Sequence, residues 1–152
     1  MPDCFLVDDL ATEALGVALA RVTPPGGTWL LQGELGAGKT TWTRGFLRGL
    51  GGDAEEVASP TYAVMHRYGS PAGALVHLDL YRIGAQGVWS LGIEEVVQAT
   101  DRLVVEWAES TPGPWPSAWV GMLTLTVAGE GRRAQWTLPD ISSGTHGLPA
   151  PQ

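Results

Sequence analysis

The sequence predicts a single α/β domain with a mostly parallel central sheet flanked by helices and a C-terminal β-hairpin. Three observations predict it. A glycine-rich loop lies between an apolar run and a helical repeat, further apolar runs of strand length follow, and the end of the folded part alternates apolar and polar residues. At 152 residues, 44% hydrophobic and 16% charged, the chain is one domain's worth and long enough to bury a core.

The elements follow in order. Phe5-Leu6-Val7 reads as a short edge strand, and Ala11, Leu15, Ala18, Leu19 and Val22 mark one face of a helix that stops before Pro24-Pro25-Gly26-Gly27. Thr28 to Gln32 is a buried strand running into the glycine-rich loop, after which Trp42, Phe46, Leu47 and Leu50 recur at helical spacing until Gly51-Gly52. Asp53 to Pro60 reads as a polar loop, and Tyr62–Tyr68 and Ala74–Leu80 as strands around a turn at Gly69-Ser70-Pro71. Ile93, Val96 and Val97 suggest a short helix, with Glu94 and Glu95 suited to its first turn. Leu103-Val104-Val105 has the continuous apolar character of a strand covered on both faces. Leu123, Leu125 and Val127 alternate with Thr124 and Thr126, as Ala134, Trp136 and Leu138 alternate with polar neighbours, so a hairpin closes at Gly129-Glu130-Gly131. The domain spans 1–138, and residues 139–152, rich in Gly, Ser and Pro, read as a loosely packed tail.

The loop itself carries chemistry. Gly33-Glu34-Leu35-Gly36-Ala37-Gly38-Lys39-Thr40 is a complete match to the G-x-x-x-x-G-K-[ST] phosphate-binding loop, and Lys39 is the only lysine in the chain. The glycines let successive N–H groups turn inward at phosphate oxygens, and the helix that follows adds its N-terminal dipole. Lys39 then reaches the β- and γ-phosphates of ATP and the Thr40 hydroxyl holds Mg²⁺. Two apolar runs end in a carboxylate, Asp79 and Glu106, and either could complete the Mg²⁺ site from a strand's carboxyl end. Generic P-loop enzymes use Asp there, which favours Asp79.

Composition excludes other classes. A net charge of −7 disfavours nucleic acid as a direct ligand. Cys4 is the one cysteine, and His66, His77 and His146 lack ligand spacing, so no zinc site is expected, and His77 reads as a hydrogen-bonded core side chain. With no leader pattern and no 18-residue apolar run, the expectation is a cytoplasmic protein without a membrane partner. Of the seven tryptophans, Trp29 and Trp136 read as core, while Trp115 and Trp119, flanked by Pro114 and Pro116, read as either core or an exposed docking patch. Arg132-Arg133 reads as a solvated hairpin tip.

Five blocks occur in an order that resembles a known family. They are Gly33 to Thr41, Ser59-Pro60-Thr61-Tyr62, His77-Leu78-Asp79-Leu80-Tyr81-Arg82, Leu91-Gly92-Ile93-Glu94-Glu95 and Glu106-Trp107-Ala108-Glu109. The chain is similar, over roughly residues 5–138, to the TsaE (YjeE) family, the ATPase of bacterial tRNA threonylcarbamoyladenosine synthesis. The P-loop is shared with many enzymes; the H-x-D-L-Y-R and E-W-A-E blocks make the resemblance specific.

The resemblance implies roles that spacing alone left open. Glu106 would be the second protein group at Mg²⁺, beside Thr40, and Asp79 would orient or activate the attacking water near the γ-phosphate, with Lys39 as its catalytic companion. Glu34, Leu35, Gly36, Ala37, Gly38, Lys39, Thr40 and Thr41 would wrap ATP, Ser59 and Thr61 would sense the γ-phosphate as a switch, and Trp107 would lie beside the nucleotide. Glu34 stands where many members have Asp, a position expected to point away from phosphate. The family implies modification of the adenosine 3′ of the anticodon in ANN-decoding tRNAs by binding and resetting a TsaB/TsaD heterodimer, with tRNA met only indirectly. Hydrolysis is expected to be slow without the partner, because no arginine finger is identifiable.

A small-molecule P-loop kinase is the competing reading, since it would share the loop, the Mg²⁺ ligands and the size. It needs a substrate pocket and usually an Arg-rich lid, and the eight arginines here are scattered. A regulatory GTPase would need an N/TKxD motif, which a chain with one lysine and no Asn lacks.

Overall fold

In chain order the elements are β1 (Asp3–Leu6), α1 (Asp9–Val22), β2 (Thr28–Gln32), α2 (Lys39–Gly49), a 3₁₀ turn (Ala54–Glu56), β3 (Met65–Tyr68), β4 (Leu75–Asp79), α3 (Ile93–Val96), β5 (Arg102–Glu106), β6 (Val120–Ala128) and β7 (Gly131–Thr137). They are seen in a computed structural model that describes residues 2–57, 65–80, 92–107, 115 and 117–139. The strands form one sheet in the order β1-β7-β6-β2-β5-β4-β3. Its centre is parallel, because β2 pairs in parallel with both β5 and β6, and β4 with β5. The additions at both edges, β3 on one side and β7 and β1 on the other, are antiparallel.

A sheet covered on both faces needs strands that are apolar throughout, and β5 is buried at every position. On one face Trp29, Leu31, Leu75, Val104, Leu123 and Leu125 pack against Leu19 of α1 and Trp42, Phe46 and Leu47 of α2. On the other, Val76, Leu78, Leu103 and Val105 pack with Ile93 of α3 and Trp115. Trp29 joins strand to helix: its ring meets Trp42 and Trp119 edge-on at centroid distances of 5.7 and 5.6 Å. Its Nε1 donates to Thr23 Oγ1 at 2.8 Å, just past the end of α1. Trp115 and Trp119 are both 8% exposed, so they are core side chains and not a docking patch.

The helices α1 and α2 touch backbone to backbone. A Cβ on Gly45 would sit 2.0 Å from the Glu13 carbonyl oxygen, and one on Gly16 would sit 2.2 Å from that of Trp42. Gly45→Ala is therefore expected to destabilise the fold by about 2 kcal/mol or more, because the clash outweighs the roughly 1 kcal/mol that Ala gains over Gly in a helix. A denaturation midpoint equal to the parent's would show that the helices can part without cost.

Several boundaries differ from the sequence expectation for physical reasons. β1 runs Asp3–Leu6 rather than Phe5–Val7, because its register is set by pairing with β7, from Asp3 opposite Gln135 to Leu6 opposite Arg132. The polar segment after α2 contains the 3₁₀ turn, started by Asp53 Oδ1 accepting from the Glu55 N–H at 3.0 Å. Val97 lies beyond α3, where its N–H caps the Ile93 carbonyl. The closing hairpin is as expected, with Ala128 opposite Gly131 across Gly129 and Glu130. The segments 58–64, 81–91 and 140–152, hence Ser59, Thr61, the start of the Tyr62–Tyr68 strand and nearly all of the tail, lie outside the described residues. No helix among the described residues is long and apolar enough to cross a membrane.

Candidate nucleotide-binding site

The parallel pairing brings the carboxyl ends of β2, β5 and β4 to one edge at one level. Leu31 lies opposite Glu106, and Glu106 lies opposite Asp79. The chain leaves β2 at Gln32 and turns through the loop into α2, so the phosphate-loop motif sits at this same edge. At the opposite ends of these strands the exposed Arg67 of β3 donates to both oxygens of the buried Asp101 carboxylate, just before β5, at 2.8 and 3.1 Å.

Within the loop, Gly36 and Gly38 have φ of +79° and +107°, conformations that glycine adopts at little cost. The Ala37 N–H donates to the Glu34 carbonyl at 3.0 Å, closing a tight turn. Gly38 precedes α2 and, having no side chain, offers no side-chain cap to the first N–H groups of the helix. Such a left-handed glycine before an uncapped helix fits a phosphate group. Glu34, Leu35 and Gly36 are exposed at the rim, Ala37, Gly38 and Lys39 are buried, and Thr40 and Thr41 are half-buried on the first turn of the helix.

Lys39 is 5% exposed. Its ammonium donates to the carbonyls of Gly33 and Glu34, the latter at 3.1 Å, and lies 3.8 Å from the centroid of the Trp107 ring. Trp107 has φ +64°, left-handed for a residue with a bulky side chain. That strained turn immediately after β5 accompanies the contact of its indole with the loop.

Glu106 is 3% exposed, and its Oε2 accepts from His77 Nε2 at 2.5 Å. Burial, and then the charges of Glu106 and Glu56, hold the Tyr68 phenol above its ordinary pKa. Asp79 is half-buried at the end of β4. Hard oxygen donors at one edge, the Thr40 hydroxyl and the two carboxylates, are the donor chemistry that Mg²⁺ takes alongside phosphate and water.

Thus Lys39, Thr40, Asp79, Glu106 and Trp107 share one sheet edge, while Ser59 and Thr61 lie outside the described residues. Of two residues read as bland in the sequence, one is as read and one is not. His77 is a buried side chain, as expected, but its partner is Glu106. Arg132 is not a solvated tip: a Cβ on Gly38 would come within 2.7 Å of its Nε, and its Nη1 donates to Asp9 Oδ1 at 2.7 Å. The predicted hairpin alone did not show it; β6 runs parallel to β2 and so carries its far end, where Arg132 follows, to the loop's edge. Arg133 fits the solvated reading, pairing with the exposed Asp3.

Comparison with known proteins shows the family and the fold. The family model for threonylcarbamoyl adenosine biosynthesis protein TsaE matches residues 6–134. The chain is 39% identical to the tRNA threonylcarbamoyladenosine biosynthesis protein TsaE of a Nostoc species over 137 residues, covering 88% of this chain and 83% of that protein. It is 42% identical to the protein of the same description from a Synechocystis species over 112 residues, 71% of each chain. Among solved structures, that of Bacillus subtilis YdiB superposes with a TM-score of 0.67 at 27% identity, covering 90% of this chain and 84% of that one. With the P-loop, the two strand-end carboxylates and these matches together, the chain belongs to the TsaE family of threonylcarbamoyl adenosine biosynthesis proteins.

Proposed function

We propose that this chain is a Mg²⁺-dependent ATP hydrolase that serves N6-threonylcarbamoyladenosine modification of tRNA by binding and resetting a TsaB/TsaD heterodimer. The observation that supports the nucleotide chemistry is the meeting of the loop with Asp79 and Glu106 in register at one sheet edge. Family membership supports the modification role, since the relatives are described as tRNA threonylcarbamoyladenosine biosynthesis proteins.

In this reading the backbone from Glu34 to Thr41 wraps the phosphates, and Lys39 exchanges the carbonyls of its own loop for β- and γ-phosphate oxygens. Thr40 and Glu106 would hold Mg²⁺, which would draw negative charge from the phosphates when bound. Asp79, beside Glu106 at the end of β4, orients the attacking water and receives its proton. Trp107 walls the site on the Lys39 side, and Arg132 adds a positive charge behind Gly38. Ser59 and Thr61, assigned through the family resemblance, would report the γ-phosphate to the partner as switch loops do. The net charge of −7 suits a protein partner better than tRNA, which would be met only through the heterodimer in the cytoplasm.

Purified chain should hydrolyse ATP slowly, and added TsaB/TsaD heterodimer should raise turnover several-fold. Modification by the reconstituted set should need this chain for more than one round. Transfer of labelled γ-phosphate to a small metabolite, with turnover indifferent to the heterodimer, would instead identify a kinase.

A further inference from the structure

His77 stands two residue pairs below the carboxylates. It lies opposite Val104 in the parallel register that sets Asp79 opposite Glu106, and alternation along each strand puts all four on one face of the sheet. Its Nε2 is 2.5 Å from Glu106 Oε2, and both side chains are 5% exposed. A carboxylate oxygen only accepts, so the ring carries its proton at Nε2. The rings of His66 and Tyr68 lie at 6.3 Å, tilted by 36° and 38°, so the imidazole is packed on its β3 side as well. Its other nitrogen, Nδ1, is buried and has no hydrogen-bond partner among the described residues. A residue present only to fill space would be apolar, like its neighbours Val76 and Leu78, and would leave no buried nitrogen unpaired.

Resting on the reading of Glu106 as a Mg²⁺ ligand, we propose that His77 is a positioning residue that commits Oε2 of Glu106 to the protein, leaves Oε1 as a one-oxygen donor, and so fits the site to Mg²⁺ rather than Ca²⁺. The two ions differ in what they ask of a carboxylate. Mg²⁺ demands near-ideal octahedral geometry and takes single oxygens, whereas Ca²⁺ accepts six to eight oxygens and readily takes both from one carboxylate. A glutamate whose second oxygen is held by an imidazole supplies the first kind of ligand. Groups behind a ligand typically contribute about 10- to 100-fold to metal affinity.

The test is calorimetry of ADP binding to the full chain in EDTA, in excess Mg²⁺ and in excess Ca²⁺. For His77→Leu, the gain in ADP affinity from Mg²⁺ should fall by about tenfold, the preference for Mg²⁺ over Ca²⁺ should narrow, and affinity in EDTA should stay close to the parent's. His77→Gln, whose amide N–H can stand where the imidazole N–H does, should recover most of both effects. His77→Asn, polar but too short to reach Oε2, should behave like His77→Leu and replaces it if that variant does not fold. An unchanged Mg²⁺ gain and ion preference in His77→Leu and His77→Asn would overturn the proposal. So would an equal loss of affinity in EDTA for all three variants, which would mark a packing role alone. Glu106→Gln separates the two levels of inference. If it abolishes the Mg²⁺ gain while His77→Leu does not, only the role of His77 falls; if it leaves the gain intact, Glu106 is not the ligand and both fall.

Discussion

Replacing Lys39 with Ala is expected to weaken ADP and ATP binding by about 100-fold or more and to reduce turnover to background. The ammonium is the one lysine charge in the chain, it is buried at the loop, and its hydrogen-bonding reach is already centred on the carbonyls of Gly33 and Glu34. A charge-assisted hydrogen bond contributes about 1.5–3 kcal/mol, and Lys39 offers more than one to the β- and γ-phosphates, so two orders of magnitude is the scale of the loss. Another cation at the loop, Arg132, cannot substitute, because it lies against Gly38 with Nη1 engaged by Asp9 and extends from a different element. Lys39→Arg should not rescue either: the guanidinium fork is wider than an ammonium and does not fit the same close approach under the Trp107 ring. Calorimetry with ADP and Mg²⁺ reads the loss directly, and a thermal melt checks that the variant is folded. Affinity within a few-fold of the parent's would mean that the loop binds phosphate through its backbone alone.

Much of the fold was legible because its signals are local. The buried strand at Thr28–Gln32, the loop and the spacing of Trp42, Phe46 and Leu47 each follow from patterns within a dozen residues, and the structure has a strand, a turn and a helix there. Pairing and register are not local. Nothing near Phe5 says that its strand starts two residues earlier, at Asp3, since that depends on β7 more than a hundred residues away. The reading of Arg132 as a solvated tip failed, and the partner of the buried His77 stayed hidden, for the same reason. Arg132 and Gly38 are far apart in sequence and meet only because β6 runs parallel to β2 and carries the hairpin tip to the loop. His77 and Glu106 meet only because β4 and β5 are adjacent and level. The choice between Asp79 and Glu106 as Mg²⁺ ligand was likewise out of reach of pattern, as both end an apolar run with a carboxylate. The two differ in burial: Glu106 is enclosed and held by His77, while Asp79 is half-open at the same level.

That difference is the basis for the second large effect. Asp79→Asn is expected to lower kcat by about 10²- to 10⁴-fold, the usual scale for a lost general base, while leaving Mg²⁺·ADP affinity close to the parent's. An amide at the end of β4 keeps the shape and the hydrogen-bonding capacity but cannot take a proton from water, so only the transition state should feel the change. Glu106→Gln should behave differently, weakening Mg²⁺-dependent ADP binding and turnover together, because a ligand of the metal acts on the ground state as well. The choice of Gln matters at this position. Its amide oxygen can still accept from His77 Nε2, whereas Ala would leave a buried imidazole with neither nitrogen paired, at a cost of about 1–3 kcal/mol unrelated to the metal. Single-turnover hydrolysis and calorimetry on the two variants, with and without Mg²⁺, separate the roles. If Asp79→Asn were the variant that lost its Mg²⁺ dependence while Glu106→Gln kept it, the enclosed carboxylate would be a structural partner of His77 and the half-open one the metal ligand, with the assignments exchanged.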